Sequence, residues 1–180
     1  RHLNQYLSTI QALISRLASV DSLQMRHRLG MKNLFDVSDK VVVITGGSRG
    51  IGKMIAQGFV ENGARVYVSS RKAGSCENTA RELSAYGTCY PLAADVSHEA
   101  GWEAVRQTLA ENEGRVDVLI NNAGAAWGAP LEDYPQNGWD KVFDLNVRGV
   151  FFLVQKLLPL LRASSFTPAR VINIASINGI

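Results

Sequence analysis

The sequence is poor in cysteine, with only Cys76 and Cys89 among 180 residues. Two cysteines cannot build a disulfide framework, and these two do not have the spacing of a zinc-binding motif. We therefore expect no metal site. Both cysteines are expected to be small buried residues in a reducing compartment, which favours a cytoplasmic location.

Two further absences exclude whole classes of function. No apolar run approaches the ~20 residues that a membrane-spanning helix needs, so no membrane span is expected. Residues 31–180 contain fifteen basic and fifteen acidic side chains, and they lack a basic stripe with interleaved aromatic residues. This part of the chain is therefore not expected to bind nucleic acid.

Acidic residues are scarce in residues 1–30, which hold four arginines, one aspartate and the whole net charge of +3. Apolar residues with helical spacing follow one face of this segment: Leu3, Leu7, Ile10, Ile14 and Leu17. The segment could be a targeting peptide, with a mitochondrial location if it is a transit peptide, or a helix that packs on a partner. It could also be a non-native extension ahead of a natural start at Met31. We take 1–30 and 31–180 as separate units.

From residue 40 onward, apolar runs alternate with helical patterns. The predicted strands are residues 41–45, 65–70, 88–95, 116–121 and 171–175. The predicted helices are residues 51–62, 76–86, 98–113 and 139–163. Continuous apolar strands separated by helices predict an α/β fold, in which helices cover both faces of a doubly wound parallel sheet.

A glycine-rich loop, Thr45-Gly-Gly-Ser-Arg-Gly-Ile-Gly52, joins the first predicted strand to the first helix. Glycines allow a tight turn and close approach of the backbone to a phosphate, and the helix N-terminus attracts an anion. The loop therefore predicts a dinucleotide site, although a tight turn without a ligand is the alternative. The loop residues predicted to bind the cofactor are Gly46, Ser48, Arg49, Gly50, Ile51 and Gly52.

The end of the second strand predicts which nicotinamide cofactor binds. An acid at this position would take the ribose hydroxyls of NAD, but Ser70 stands there, followed by Arg71. A hydroxyl together with Arg71 and Arg49 would bind a 2′-phosphate through charge-assisted hydrogen bonds. We predict NADP(H) as the cofactor; the alternative is that Arg71 and Lys72 are solvated loop charges.

Later motifs occur in a recognisable order: Asp95-Val96 after the third strand, Asn121-Asn-Ala-Gly124 after the fourth, Asn146 in a helix and Ser176 after the fifth. With the G-x-x-x-G-x-G spacing of the loop, this order resembles the short-chain dehydrogenase/reductase family. The resemblance covers residues 40–180. It implies a Rossmann fold with strand order 3-2-1-4-5-6-7, of which strands 6 and 7 are expected to be missing here.

The resemblance also implies roles for these residues. Asp95 and Val96 would contact the adenine, although Asp95 could instead cap the helix that begins near Ser97. Asn146 would hold a water in a proton relay rather than being a merely exposed helical asparagine. Ser176 would polarise the substrate oxygen rather than cap a turn. Further cofactor contacts are implied for Asn122, Ala123 and Gly124.

The implied activity is NADPH-dependent reduction of a ketone to a secondary alcohol. Segments such as residues 83–87, 157–162 and 168–174 resemble the rhamnolipid-biosynthesis 3-oxoacyl reductase group, which implies a 3-oxoacyl thioester or similar small-molecule carbonyl substrate. The family also implies a homodimer or homotetramer. The alternative is a nucleotide-binding regulatory module, or an inactive fragment, on the same fold.

The family supplies the proton from a tyrosine in a Tyr-x-x-x-Lys motif about a dozen residues after the serine. None of the five tyrosines in this chain has a lysine four residues later. We expect the motif to follow Ile180, and we expect these 180 residues alone to show no carbonyl reduction. Finding Tyr-x-x-x-Lys after Ile180 would favour the enzyme, and its absence would favour the module.

Overall fold

The computed structural model describes residues 35–166 and 168–176. All the described secondary structure belongs to the unit Val37–Ile180. The predicted boundary between residues 30 and 31, and the apolar helical pattern before it, lie outside the described residues. They stay predictions.

Parallel strands form one sheet in the described part of the chain. The strands are β1 (Val41–Thr45), β2 (Arg65–Ser70), β3 (Thr88–Ala93), β4 (Val118–Asn121) and β5 (Arg170–Asn173). Their order is β3-β2-β1-β4-β5, and each adjacent pair is parallel. The predicted α/β Rossmann fold and strand order are confirmed.

The helices lie between the strands, as predicted, with ends shifted by a few residues. They are α1 (Gly50–Glu61), α2 (Ala73–Leu83), α3 (Glu99–Asn112), α4 (Gln136–Phe143) and α5 (Gly149–Arg162). A π-helical turn, Asp144–Arg148, joins α4 directly to α5. The single helix predicted at residues 139–163 is therefore wrong in detail, because its hydrogen-bond register changes around Asn146.

Helices cover both faces of the sheet, and each face has its own core. On one face, strand residues pack with apolar side chains of α3 and α5, including Trp102, Leu109 and Leu157. On the other, they pack with α1 and α2, through residues such as Val60 and Leu83. The β1 residues Val41, Val42, Val43 and Ile44 alternate between the two cores, which explains their continuous apolar sequence.

β5 lies at one edge of the described sheet and pairs with β4. Val171 and Ile172 are each 42% exposed, whereas the matching β4 residues Leu119 and Ile120 are 0% and 2% exposed. The apolar sequence of β5 is typical of a buried strand, but here its residues are exposed. An exposed apolar edge strand of this kind invites pairing with a further strand.

The sheet order determines where a ligand site can form. β1 lies between β2 and β4, so the connections after β1 and β4 leave on opposite sides of the sheet. Such a switch point opens a crevice at the carboxyl ends of the strands. The glycine loop, Asp95 and Asn122 follow strands at these carboxyl ends, and Ser70 is the last residue of β2.

Candidate functional site

A cleft of about 370 Å³ opens at the carboxyl ends of β1–β4. All thirteen residues predicted to bind the cofactor line it: Gly46, Ser48, Arg49, Gly50, Ile51, Gly52, Ser70, Arg71, Asp95, Val96, Asn122, Ala123 and Gly124. The fold therefore brings together residues that are up to 78 positions apart in the sequence. That these residues bind the cofactor stays a prediction.

The glycines of the loop are required because of their backbone conformation and because a side chain would clash with neighbouring atoms. Gly46 and Gly50 have φ values of 65° and 53°, in the left-handed region that favours glycine. A Cβ at Gly52 would lie 2.3 Å from the Gly46 carbonyl oxygen and 2.4 Å from Nδ2 of Asn122. The start of α1 can therefore approach the rest of the loop only because residue 52 has no side chain.

Asn122 and Thr45 connect the end of β4 to the start of the glycine loop. Nδ2 of Asn122 donates to the carbonyl oxygens of Thr45 at 3.1 Å and Gly46 at 3.2 Å. The hydroxyl of Thr45 accepts the N–H groups of Asn122 and Ala123, each at 3.0 Å. These bonds hold two loop carbonyls against the amide of Asn122, so the loop enters its turn in one conformation.

The end of β2 presents a hydroxyl and a guanidinium group to the cleft. Ser70 is half-buried; its Oγ lies 3.1 Å from Sγ of the buried Cys76 and donates to the carbonyl of Lys72 at 3.3 Å. Arg49 and Arg71 are exposed at the cleft, and neither forms an ion pair with another described residue. Asp95 is the only acidic side chain among the residues that line the described cleft.

Asp95 forms a turn rather than a helix cap. Its Oδ1 accepts the N–H of Ser97 at 3.1 Å and the Ser97 hydroxyl at 2.6 Å, and the residue that precedes α3 is His98. The alternative role as cap of this helix is therefore wrong, because Asp95 bonds within its own loop. Burial would raise the pKa of the Asp95 carboxyl, but the bonds from Ser97 and the charge of Arg71 lower it.

The wall of the cleft that Asp95 and Val96 form is held through its backbone carbonyls. The Trp102 indole N–H donates to the Val96 carbonyl at 2.6 Å. A Cβ at Gly101 would lie 1.9 Å from the Asp95 carbonyl oxygen, and one at Gly149 would lie 2.3 Å from that of Val96. Both glycines let helices approach this loop closely, which fixes the position of the wall.

Asn146 lies beside the cleft rather than in its lining. Its side-chain amide makes two bonds with Ala125: Oδ1 accepts the Ala125 N–H and Nδ2 donates to the Ala125 carbonyl, both at 2.8 Å. Asn146 sits in the π-helical turn, a feature found often at functional sites. It also lines an apolar groove between α5 and β5, with Val147, Phe151 and Val171.

Ser176 is exposed and follows the end of β5 by three residues. A bond between side chains fixes the strand ends beneath it, since Nδ2 of Asn121 donates to Oδ1 of Asn173 at 2.9 Å. The Ile174 N–H donates to the Asn121 carbonyl, which extends the pairing beyond the strand. The catalytic roles of Ser176 and Asn146 stay predictions.

Several residues that line or support the cleft were not predicted from the sequence. Thr45 is central to the loop, and the signal was its position as the polar residue that ends the apolar run of β1. Ser69, Ala94 and Leu145 also line the cleft. Ser69 and Ala94 directly precede predicted residues, so their strand neighbours point to them. Leu145 comes from the π-helical turn and carried no signal.

None of the described helices has the length and apolar character to cross a membrane. In the same residues, no three His, Cys, Asp or Glu side chains come together as a potential metal-binding group.

Comparison with known proteins finds a matching family and relatives across most of the chain. Residues 40–180 match the family model described as short chain dehydrogenase. The chain is 54% identical over 152 residues to the rhamnolipids biosynthesis 3-oxoacyl-[acyl-carrier-protein] reductase of Pseudomonas aeruginosa, covering 83% of this chain and 59% of that protein. It is 36% identical to the NADP-dependent (R)-specific alcohol dehydrogenase of Lentilactobacillus kefiri, covering 78% and 55%.

Solved structures give the same result. A Pseudomonas aeruginosa RhlG/NADP active-site complex has a TM-score of 0.78 at 54% identity, with 81% of this chain and 58% of that chain covered. A metagenomic short-chain oxidoreductase in complex with NADP has a TM-score of 0.73 at 34% identity, with 79% and 64% covered. The chain thus spans less than two thirds of the length of these relatives.

Proposed function

This chain belongs to the short-chain dehydrogenase family, and on that premise we propose that it forms the cofactor-binding part of an NADP(H)-dependent carbonyl reductase. The observation that carries the proposal is the composition of the cleft at the end of β2. Ser70, Arg71 and Arg49 line it there, where a carboxylate would select NAD. Two of the relatives above are described in complex with NADP, which supports the same assignment.

The residues present fit a dinucleotide phosphate. The glycine loop leads into α1, whose N-terminus offers unpaired N–H groups and a partial positive charge to a pyrophosphate. Asn122 holds the carbonyl oxygens of Thr45 and Gly46, so these do not face the anion. Arg49 and Arg71 would neutralise a 2′-phosphate, and the Asp95 side of the cleft would receive the adenine.

A bound nicotinamide cofactor supplies a hydride to a carbonyl carbon. Ser176 would donate a hydrogen bond to the carbonyl oxygen and stabilise the negative charge that develops there. Asn146 holds the Ala125 backbone next to Gly124 and would position a water for proton transfer. We assign no residue of this chain as the proton donor.

The substrate class follows from the relatives alone. We propose a 3-oxoacyl thioester, because the 3-oxoacyl-[acyl-carrier-protein] reductase shares 54% identity over most of this chain. A homodimer or homotetramer and a cytoplasmic location are part of the same proposal. A nucleotide-binding module without turnover is the competing function. A protein that contains these residues should consume NADPH with a 3-oxoacyl thioester, whereas a module would bind NADPH without consuming it.

Titration of the chain with NADPH and with NADH tests the cofactor. We expect NADPH to bind at least about tenfold more tightly, since a charge-assisted contact contributes ~1.5–3 kcal/mol. Ser70→Asp should reverse this order, because a carboxylate repels the 2′-phosphate and accepts ribose hydroxyls. Gln107→Glu, which adds the same charge at an exposed position on α3, is the control and should leave the order unchanged. Tighter binding of NADH by the unmodified chain would refute the assignment.

A further inference from the structure

We propose that Thr79, on α2, is a positioning residue that holds the glycine loop in the conformation selective for NADPH over NADH. The inference rests on the proposed function and extends it to a helix that none of the sequence motifs includes. Thr79 is 4% exposed, and its hydroxyl donates to the Ser48 carbonyl at 2.9 Å. Thr79 itself is not among the residues that line the cleft.

The hydrogen bond from Thr79 fixes the orientation of the whole Ser48–Arg49 peptide, not only that of the Ser48 carbonyl. The Ser48 carbonyl and the Arg49 N–H belong to one planar trans peptide, so they point in opposite directions. Because the Ser48 oxygen faces Thr79 on α2, the Arg49 N–H faces away from α2. Ser48 and Arg49 both line the cleft. The hydroxyl of Thr79 therefore sets the orientation of the peptide that begins the Arg49 backbone.

Other bonds hold the earlier part of the loop. Asn122 binds the carbonyls of Thr45 and Gly46, and the Gly47 N–H donates to the Ser69 carbonyl at 3.1 Å. Thr79 adds the contact at Ser48. Residues at the end of β4, in β2 and in α2 therefore each form a hydrogen bond with the loop. The bond from α2 is the one next to Arg49.

Arg49 is the residue through which the Thr79 hydrogen bond would affect the preference for NADPH over NADH. It precedes α1 with an extended backbone, φ −163° and ψ 167°, and its own side chain does not cap the helix. Its side chain is exposed at the cleft, so its direction depends on the backbone that carries it. A guanidinium group that contacts the 2′-phosphate matters for NADPH and not for NADH.

α2 also contacts Ser70, the second residue proposed to bind the 2′-phosphate. Cys76, one turn before Thr79, is fully buried, and its Sγ lies 3.1 Å from Oγ of Ser70. α2 therefore contacts both Ser70 and the Ser48–Arg49 peptide through two buried side chains on one face. Cofactor choice would depend on this buried face as well as on the residues that touch the cofactor.

The test compares Thr79→Val with Thr79→Ser by titration with NADPH and NADH. Valine keeps the shape of threonine but leaves the Ser48 carbonyl without its donor. We expect its Kd for NADPH to rise about tenfold and its Kd for NADH to rise about threefold or less. Serine keeps the hydroxyl and should restore the ratio of the two constants. Thr108→Val, the same change on α3, is the control.

The results separate the two proposals. If the unmodified chain prefers NADH, the proposed cofactor is wrong. If it prefers NADPH but Thr79→Val keeps the same ratio of Kd values, the role of Thr79 is wrong and the cofactor assignment stands. A loss of stability alone would lower the unfolding temperature and leave the ratio unchanged. Should Thr79→Val fail to fold, Thr79→Ala removes the same hydroxyl without adding apolar volume and is judged by the same ratio.

Discussion

At the amino ends of the strands, charged side chains connect neighbouring segments of the sheet. At the carboxyl ends, side-chain amides and a hydroxyl make the corresponding connections. Asp117, which precedes β4, is fully buried and accepts the Val41 N–H at 2.8 Å. It also accepts bonds from the side chains of Arg115, Ser164 and Ser165 and from the backbone that leads into β5. One carboxylate thus connects β1, β4 and the segment before β5.

A second ionised group lies at the same end. Glu113, at the end of α3, accepts bonds from Nε and Nη2 of Arg65 at the start of β2. The hydroxyl of Tyr67 donates to it at 2.7 Å, and the Glu113 side chain is only 6% exposed. Buried charges of this kind are tolerated where donors surround them.

At the carboxyl ends neutral groups hold the glycine loop, and Asp95, after β3, is the one carboxylate among the residues that line the described cleft. Asn122 and Thr45 are neutral, yet they hold the same kind of backbone groups. An anion that binds at the loop therefore meets N–H groups and arginines rather than a carboxylate. We infer that the amino ends serve stability and the carboxyl ends serve binding, and the variants below are chosen to test this division.

Asp117→Asn should have the largest effect, and only on stability. Whichever way the asparagine amide lies, its NH₂ group faces donors such as the Val41 N–H or the Ser165 N–H. We expect a loss of about 3–5 kcal/mol in the free energy of unfolding, the cost typical of breaking a buried pair. Denaturant unfolding measures it, with the exposed Asp133→Asn as control.

The Kd for NADPH of the folded Asp117→Asn protein should equal that of the unmodified chain. A clear weakening of NADPH binding would mean that the two ends of the sheet are coupled, contrary to the division proposed here.

Gly52→Ala should have the opposite profile, with the main effect on binding. The added Cβ would lie 2.3 Å from the Gly46 carbonyl oxygen, so the loop must move. We expect the Kd for NADPH to rise about 100-fold, equivalent to ~2.7 kcal/mol. Gly58→Ala, in the same helix, is the control, because its Cβ meets nothing within 4 Å. It should bind NADPH normally and stabilise the chain by about 0.5–1 kcal/mol. Equal binding by the two variants would contradict the role of Gly52.

The sequence predicted which residues line the cleft better than it predicted the hydrogen bonds that support the cleft. The predicted bounds of β1 and β2 agree with the structure; Gly46 directly follows β1, and Arg71 directly follows β2. The site residues followed from them, because parallel strands bring their carboxyl ends to one edge. No local pattern, however, connects Thr79 with Ser48 or Asp117 with Val41, since these bonds join distant segments of the chain.

The π-helical turn shows another limit of sequence reasoning. The apolar spacing of residues 139–163 indicates one long helix, and asparagine at position 146 is only mildly unfavourable in such a helix. The change of register depends on the two bonds between Asn146 and Ala125, which lies in a different segment. Such a pairing is decided by tertiary structure, so helical periodicity cannot predict it.

The pH dependence of unfolding should reveal the stabilising contribution of the Asp117 carboxylate. Burial would raise its pKa, but the bonds from Val41, Ser164 and Ser165 hold the pKa well below its usual range. The ionised group therefore stabilises the fold fully above the unfolded pKa of ~3.9, and this contribution is lost as the pH falls further. The stability difference between the unmodified chain and Asp117→Asn should stay constant from neutral pH to about pH 5 and shrink below about pH 4. A difference that grows on acidification would contradict the assignment.

Tyr67→Phe should have the smallest effect and again only on stability. The change removes one donor to Glu113 but leaves the bonds from Arg65 and the ring contact with Tyr90. We expect a loss of about 1 kcal/mol in denaturant unfolding, the usual net value of one hydrogen bond. Tyr86→Phe, at a side chain that is 57% exposed, is the control and should change stability by less than about 0.5 kcal/mol. Because Tyr67 lies toward the amino end of β2 and Ser70 at its carboxyl end, the Kd for NADPH should not change. A shift in that Kd without a shift in stability would place Tyr67 with the binding residues and end the division between the two ends of the sheet.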